Sequence, residues 1–188
     1  VQAGATSQAV NAVAIGVSAG QGTQGSGAMA MGFQAGMTSQ AINAIAIGVT
    51  AGNQTQGSGA VAVGFTAGST AQGINAVAIG AAAGVNTQGQ NAVGIGNLAG
   101  NVQQGSGAVA LGVQAGATSQ AVNAVAIGVS AGQGTQGSGA MAMGFQAGMT
   151  SQAINAIAIG VTAGNQTQGS GAVAIGFTAG AKIGRAHV

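Results

Sequence analysis

The sequence contains no aspartate and no glutamate, and its only cations, Lys182 and Arg185, stand with the single histidine, His187, in the last seven residues. Residues 1–181 therefore carry no ionisable side chain. That excludes paired carboxylates for acid–base work, a nucleophile activated by a neighbouring base and a metal centre built from His, Asp or Glu. It also removes the basic patch that phosphate-driven nucleic-acid binding requires. No enzyme activity, no cofactor and no nucleic-acid partner are expected. Cysteine is absent, so there is neither a disulfide framework nor a thiolate. Proline, tryptophan and tyrosine are absent too. No apolar run approaches the ~18 residues of a membrane-spanning helix, so this segment is not expected to enter a membrane.

What remains is glycine, 39 residues of it, in a chain that is 47% apolar and 1% charged. Disordered chains combine few apolar residues with high net charge, and this chain does the opposite. Its order lies in a repeat. Gly16, Gly32, Gly48, Gly64, Gly80, Gly96, Gly112, Gly128, Gly144, Gly160 and Gly176 stand 16 residues apart without exception. Coils are counted here from the residue five before that glycine, so the first is NAVAIGVSAGQGTQGS, residues 11–26. The second place is always Ala, the ninth and tenth are always Ala-Gly, and the fourteenth is Gln throughout. The first place mostly alternates Asn with Gly, as in Asn11, Gly27, Asn43 and Gly59. Residues 1–62 recur identically as 113–174, a shift of seven coils, as expected when each coil touches only its neighbours.

The third, fifth and seventh places are mostly large and apolar, with Ala between the third and fifth. Period-two alternation is a strand signal. A helix would need apolar residues three and four apart, and each glycine would weaken it by ~1 kcal/mol. The chain is therefore read as all-β, a parallel β-solenoid of about eleven coils over residues 1–181. Gly16, Gly20, Gly32, Gly36, Gly48 and Gly52 are read as structural turns. Val13, Ile15, Met29, Met31, Ile45 and Ile47 are read as core, and Gln8, Gln24, Gln40, Gln56, Gln72 and Gln88 as a ladder of stacked amides. Stacking also bears on the missing charges. Like charges ~4.8 Å apart repel by roughly 0.9 kcal/mol per pair in water, and by more when buried. With Ala on one strand face and Val, Ile or Met on the other, one face is expected to fill the coil and the other to pack on a second chain; the pattern does not say which is which.

Several motifs reduce to the repeat. GQGTQG, with Gly20, Gly22 and Gly25, matches the dinucleotide-binding glycine spacing but lacks the acidic residue further on, so turn glycines are expected. Asn53-Gln54-Thr55 and Asn165-Gln166-Thr167 match a glycosylation acceptor that neighbouring coils lack. Asn11, Asn43, Asn75, Asn91, Asn123 and Asn155 are expected at backbone bends. The tail KIGRAHV breaks the repeat and reads as the translation of a common sequencing adapter; residues 182–188 are expected to be non-native. Without an initial Met and starting mid-repeat, the chain reads as an internal fragment of a longer array.

The strand NAVAIG, with its variants NAIAIG, GAVAVG and GAMAMG, resembles the head repeat of trimeric autotransporter adhesins, the YadA-like head. The resemblance covers residues 1–181 and is carried by Asn11 through Gly16 and their copies. It implies a left-handed parallel β-roll, three chains side by side, and adhesion to host or matrix surfaces from a cell-surface fibre. The longer coil, the Ala19-Gly20 pair and its copies, the Gln column and the missing charges depart from the family pattern. Similar long-period repeats look like phage or viral fibre proteins, which is the alternative setting. A third reading, an ice-binding solenoid, rests on Ser or Thr at the thirteenth place (Ser7, Thr23, Ser39, Thr55), although Ala71 and Gln103 interrupt that row.

Overall fold

The computed structural model describes residues 2–180; the expected non-native tail, 182–188, lies outside them. The described chain is a β-solenoid of about eleven turns without helices. The strand at the third to fifth places, Val13–Ile15 in the first coil and Val173–Ile175 in the last, builds one parallel sheet of 11 strands. The two-residue strand at the thirteenth and fourteenth places builds the opposite wall as sheets of six and four strands. Register is locked at one coil per step: Val13 pairs with Met29, Ala14 with Ala30 and Ile15 with Met31. Turns stack as regularly as strands. Gln34 N–H donates to the Val17 carbonyl at 2.9 Å, and Gly27 N–H to that of Val10 at 3.0 Å. Corners of the coil therefore keep their backbone groups paired, as buried backbone must be.

Two corners show why their residues are restricted. At the sixth place the backbone has φ near +126° to +131° in Gly16, Gly32 and Gly48. A Cβ on any of them would lie 2.5–2.6 Å from the carbonyl oxygen of the equivalent glycine one coil on. Only glycine fits a column packed backbone to backbone. At the first place the chain is left-handed, with φ of 62° at Asn11, 69° at Gly27 and 57° at Asn43. Asn and Gly are the residues that enter that region most readily, which accounts for their alternation there. Gly20, Gly36 and Gly52 at the tenth place are left-handed as well, with φ of 51–52°.

The eighth place is left-handed in every coil yet never glycine: Ser18, Gln34, Thr50, Thr66, Ala82 and Leu98 all have φ between 52° and 59°. A β-branched residue is strained there, and stacking imposes the conformation against local preference. Thr66→Asn is expected to stabilise the chain by about 1 kcal/mol, read as a raised urea midpoint with unchanged slope.

The interior is made of alanine and glutamine. Alanines of the second, fourth and ninth places, such as Ala28, Ala30 and Ala35, are fully buried, and Gln24, Gln40 and Gln56 are 1% exposed. The residues expected to form the core lie on the other side of the strand. Val13 and Ile15 are 37% and 55% exposed, and Met29, Met31, Ile45 and Ile47 are half-buried, shielded only by their neighbours in the stack. The reason is width. The Gln40 Nε2 crosses the coil and donates to the Met29 carbonyl at 2.7 Å, and the Gln56 Nε2 reaches the Ile45 carbonyl at 2.6 Å. A cavity bridged by one amide side chain leaves room elsewhere for a methyl group and nothing larger.

Candidate interaction surface

Outside the 11-stranded sheet, the third and fifth places form two columns of Val, Ile, Met and Leu, and the seventh place adds a third. Ile79, Leu111, Val49 and Phe33, all in coils covered on both sides by others, are 38%, 42%, 42% and 48% exposed. At the opposite margin the sixteenth place carries a fourth, interrupted column, where Ile42, Ile74 and Val122 are 56%, 47% and 47% exposed. Large apolar side chains thus cover one side of the solenoid from margin to margin, while its interior holds mostly Ala.

The other wall is polar. Thr23, Ser39, Thr55 and Thr87 point outward in a single row. Ala71 and Gln103 interrupt it; the residue following each member is the buried Gln, and the place before it carries a hydroxyl only in some coils, as at Thr38, Thr70, Thr118 and Thr150. Gln103 also departs in backbone, with φ +54° where its equivalents are extended. Here the wall divides: Thr87–Gln88 ends the six-stranded sheet, Ser119–Gln120 begins the four-stranded one, and Gln104 joins them by single bridges. A shallow open groove of about 460 Å³ lies over this irregularity, lined by Thr87, Gln103, Ser119 and Thr135 among others. It offers hydroxyls and amides but no group that could move a proton at neutral pH.

The glutamine column runs inside, behind this wall. Gln24 Nε2 donates to Gln40 Oε1 at 3.1 Å, Gln56 to Gln72 at 3.1 Å, and Gln72 to Gln88 at 3.1 Å. The ladder comes in runs. Gln24, Gln56 and Gln136 each begin one, and their Oε1 atoms have no donor. Gln8, in the outermost coil, is exposed and donates only to the Ala12 carbonyl at 3.1 Å. From Gln24 to Gln168 the amides fasten the two walls together and do not face solvent.

The remaining motif residues have structural roles. Asn53 of the glycosylation-like triplet donates Nδ2 to the Gln34 carbonyl at 3.0 Å, and Asn101 in the equivalent place does the same to Ala82 at 2.7 Å. Gly20, Gly22 and Gly25 flank the strand Thr23–Gln24, with no helix following. Asn75 and Asn91, the one adjacent pair at the first place, approach with Nδ2 3.4 Å from Oδ1. Among the described residues no three His, Cys, Asp or Glu side chains gather to hold a metal, and no helix is long and apolar enough to cross a membrane. Comparison with protein-family models, curated proteins and solved structures finds no match.

Proposed function

We propose that the chain is a structural and adhesive segment of a surface fibre, assembled from parallel copies of itself. The observation that supports this is the apolar side of the 11-stranded sheet. Ten steps of ~4.8 Å by a breadth of ~13 Å give a flat face on the order of 600 Å², before the margins are added. The largest apolar patch of an ordinary monomer is about 300–600 Å², and larger ones mark contact surfaces. A Val or Ile taken fully out of water contributes about 1.5–3 kcal/mol, so association of copies would supply the core that a coil filled with Ala cannot. The likeness to trimeric adhesin heads favours three chains around one axis, on the outside of a bacterial cell; a virion fibre is the other setting with the same mechanical requirement. The uncharged polar wall would then face outward and meet a host or matrix receptor.

A fibre segment of this kind is a spacer whose length is set by coil number. Inserting a further seven-coil block of 112 residues, the offset between residues 1–62 and their copy 113–174, should lengthen the particle by about 34 Å at constant width. Negative-stain electron microscopy of the two lengths reads this directly. Globular particles, or a block that widens the particle without lengthening it, would refute the spacer role.

A further inference from the structure

The two margins of the apolar face vary together. Residues 1–62 and 113–174 are identical, so the independent instances lie in the first seven coils. Where the sixteenth place is bulky, the seventh place of the coil it leads into is small or medium: Val10 with Val17, Ile42 with Val49, Ile74 with Ala81. Where the sixteenth and first places are Ser-Gly, the seventh is Phe in two coils, Phe33 after Ser26 and Phe65 after Ser58, and Val113 after Ser106. All four phenylalanines of the chain follow a Ser-Gly pair. The one coil with an amide at the sixteenth place, Gln90, also carries the one amide at the seventh, Asn97.

Within one chain these positions cannot see each other. The stretch from the second to the sixth place alone covers roughly 13 Å, and both margins are exposed, with Phe65 at 61% and Ile42 at 56%. Neighbouring coils repeat the same lateral positions, so no offset along the stack brings the margins together. Correlated size and polarity at two margins of one surface is what two copies require if the seventh-place margin of one lies against the sixteenth-place margin of the next. Facing large and small residues then interdigitate.

Building on the self-association proposed above, we infer that copies of this chain pair heterologously, parallel and in register, with a two-coil size code fixing that register. Rotation about an axis outside the solenoid and parallel to it sets unlike margins together at equal height, whereas a two-fold axis perpendicular to it sets each margin against itself. Sliding by one coil sets Phe33 against Ile42 and leaves Val17 facing the Ser26-Gly27 gap. The code therefore disfavours slippage along a surface that is otherwise nearly uniform. The Gln90–Asn97 coil replaces one apolar contact with an amide pair and marks one height along the stack.

Because the chain has no cysteine, introduced thiols report the pairing alone. Ile42→Cys and Val49→Cys are made on separate chains and co-expressed, with Val122→Cys and Val129→Cys as a second pair at another height. Oxidation of each mixture is expected to give cross-linked dimers, and oxidation of either single variant none. Cross-linking within a single variant would overturn the inference in favour of like margins facing. An oligomer whose mixtures fail to cross-link would overturn it as well, as would Ile42→Cys joining Phe33→Cys faster than Val49→Cys. A monomeric mass for the unsubstituted chain would remove self-association itself, and this inference with it.

Discussion

A Gln72→Glu chain is expected to lose its cooperative fold at neutral pH and to regain it on acidification. Gln72 is 3% exposed. Its Nε2 donates to the Val61 carbonyl at 2.7 Å, the Ala76 carbonyl at 3.2 Å and Gln88 Oε1 at 3.1 Å, while its Oε1 accepts from Gln56 Nε2 at 3.1 Å. A carboxylate accepts only, so the substitution sets a negative charge among three acceptor oxygens with one donor in reach. Removing the partners of buried polar groups costs about 1–3 kcal/mol each, and an uncompensated buried charge about 3–5 kcal/mol. Burial holds the folded-state pKa of the new carboxyl above its unfolded value of ~4.3. The charge penalty is therefore fully present above the folded pKa and disappears as pH falls to the unfolded value and below, so the stability of the variant falls as pH rises. The unsubstituted repeat carries no ionisable side chain in residues 1–181 and should melt at one temperature from about pH 4 to 9. Circular dichroism melts across that range check both statements. Equal melting of Gln72→Glu at both extremes would show that the amide is not where the ladder puts it.

The second large effect belongs to the glycine column. Gly80→Ala is expected to destabilise the stack by at least about 4 kcal/mol, combining backbone strain of about 1–3 kcal/mol with overlap that no rotamer relieves. Gly80 has φ +126°, and a Cβ there would lie 2.6 Å from the Gly96 carbonyl oxygen and 2.7 Å from its carbonyl carbon. Both are backbone atoms held by their own coil, so relief requires the coils to part. Parting them breaks the bonds from Gly96 N–H to Ile79 and from Val77 N–H to Ala92, each 2.8 Å. Thr55→Ala on the polar wall is the control. Ala71 already occupies that place one coil on, and an exposed change should stay within about 0.5 kcal/mol. Urea unfolding of the two variants beside the parent measures the contrast.

The period of Gly16 and its copies made the parallel stack legible. Once one coil is one turn, Val13 must lie beside Met29 and Gln24 beside Gln40, and the fold has them so. The left-handed bends at Asn11 and Asn43 were legible for a local reason, since few other residues enter that region readily. The assignment of Val13, Ile15, Met29, Met31, Ile45 and Ile47 to the core went the other way. Apolarity says that a side chain leaves water, not which of two surfaces it leaves water against. The signal that could have decided was the Gln column itself. A glutamine that never varies in a repeat free of charge is buried and bonded across the coil, and a coil that one amide can span has no space for Ile. The left-handed eighth place had no signature at all. Ser18, Gln34, Thr50 and Leu98 share nothing except the stacking that forces them there. At Gln103 the only sign of the divided wall was a Gln where the row otherwise has Ser, Thr or a single Ala.

The interior holds Ala and Gln and leaves the large apolar side chains outside, and the proposed self-association has a second copy cover them. The mass of the folded chain in dilute solution, by native mass spectrometry or sedimentation equilibrium, asks this most directly. A small integer multiple of the chain mass, falling to one when Ile47, Ile79 and Ile127 are together replaced by Lys with the β-signal retained, is the predicted result. A folded monomer that stays dispersed at high concentration with its apolar side in water would contradict the account.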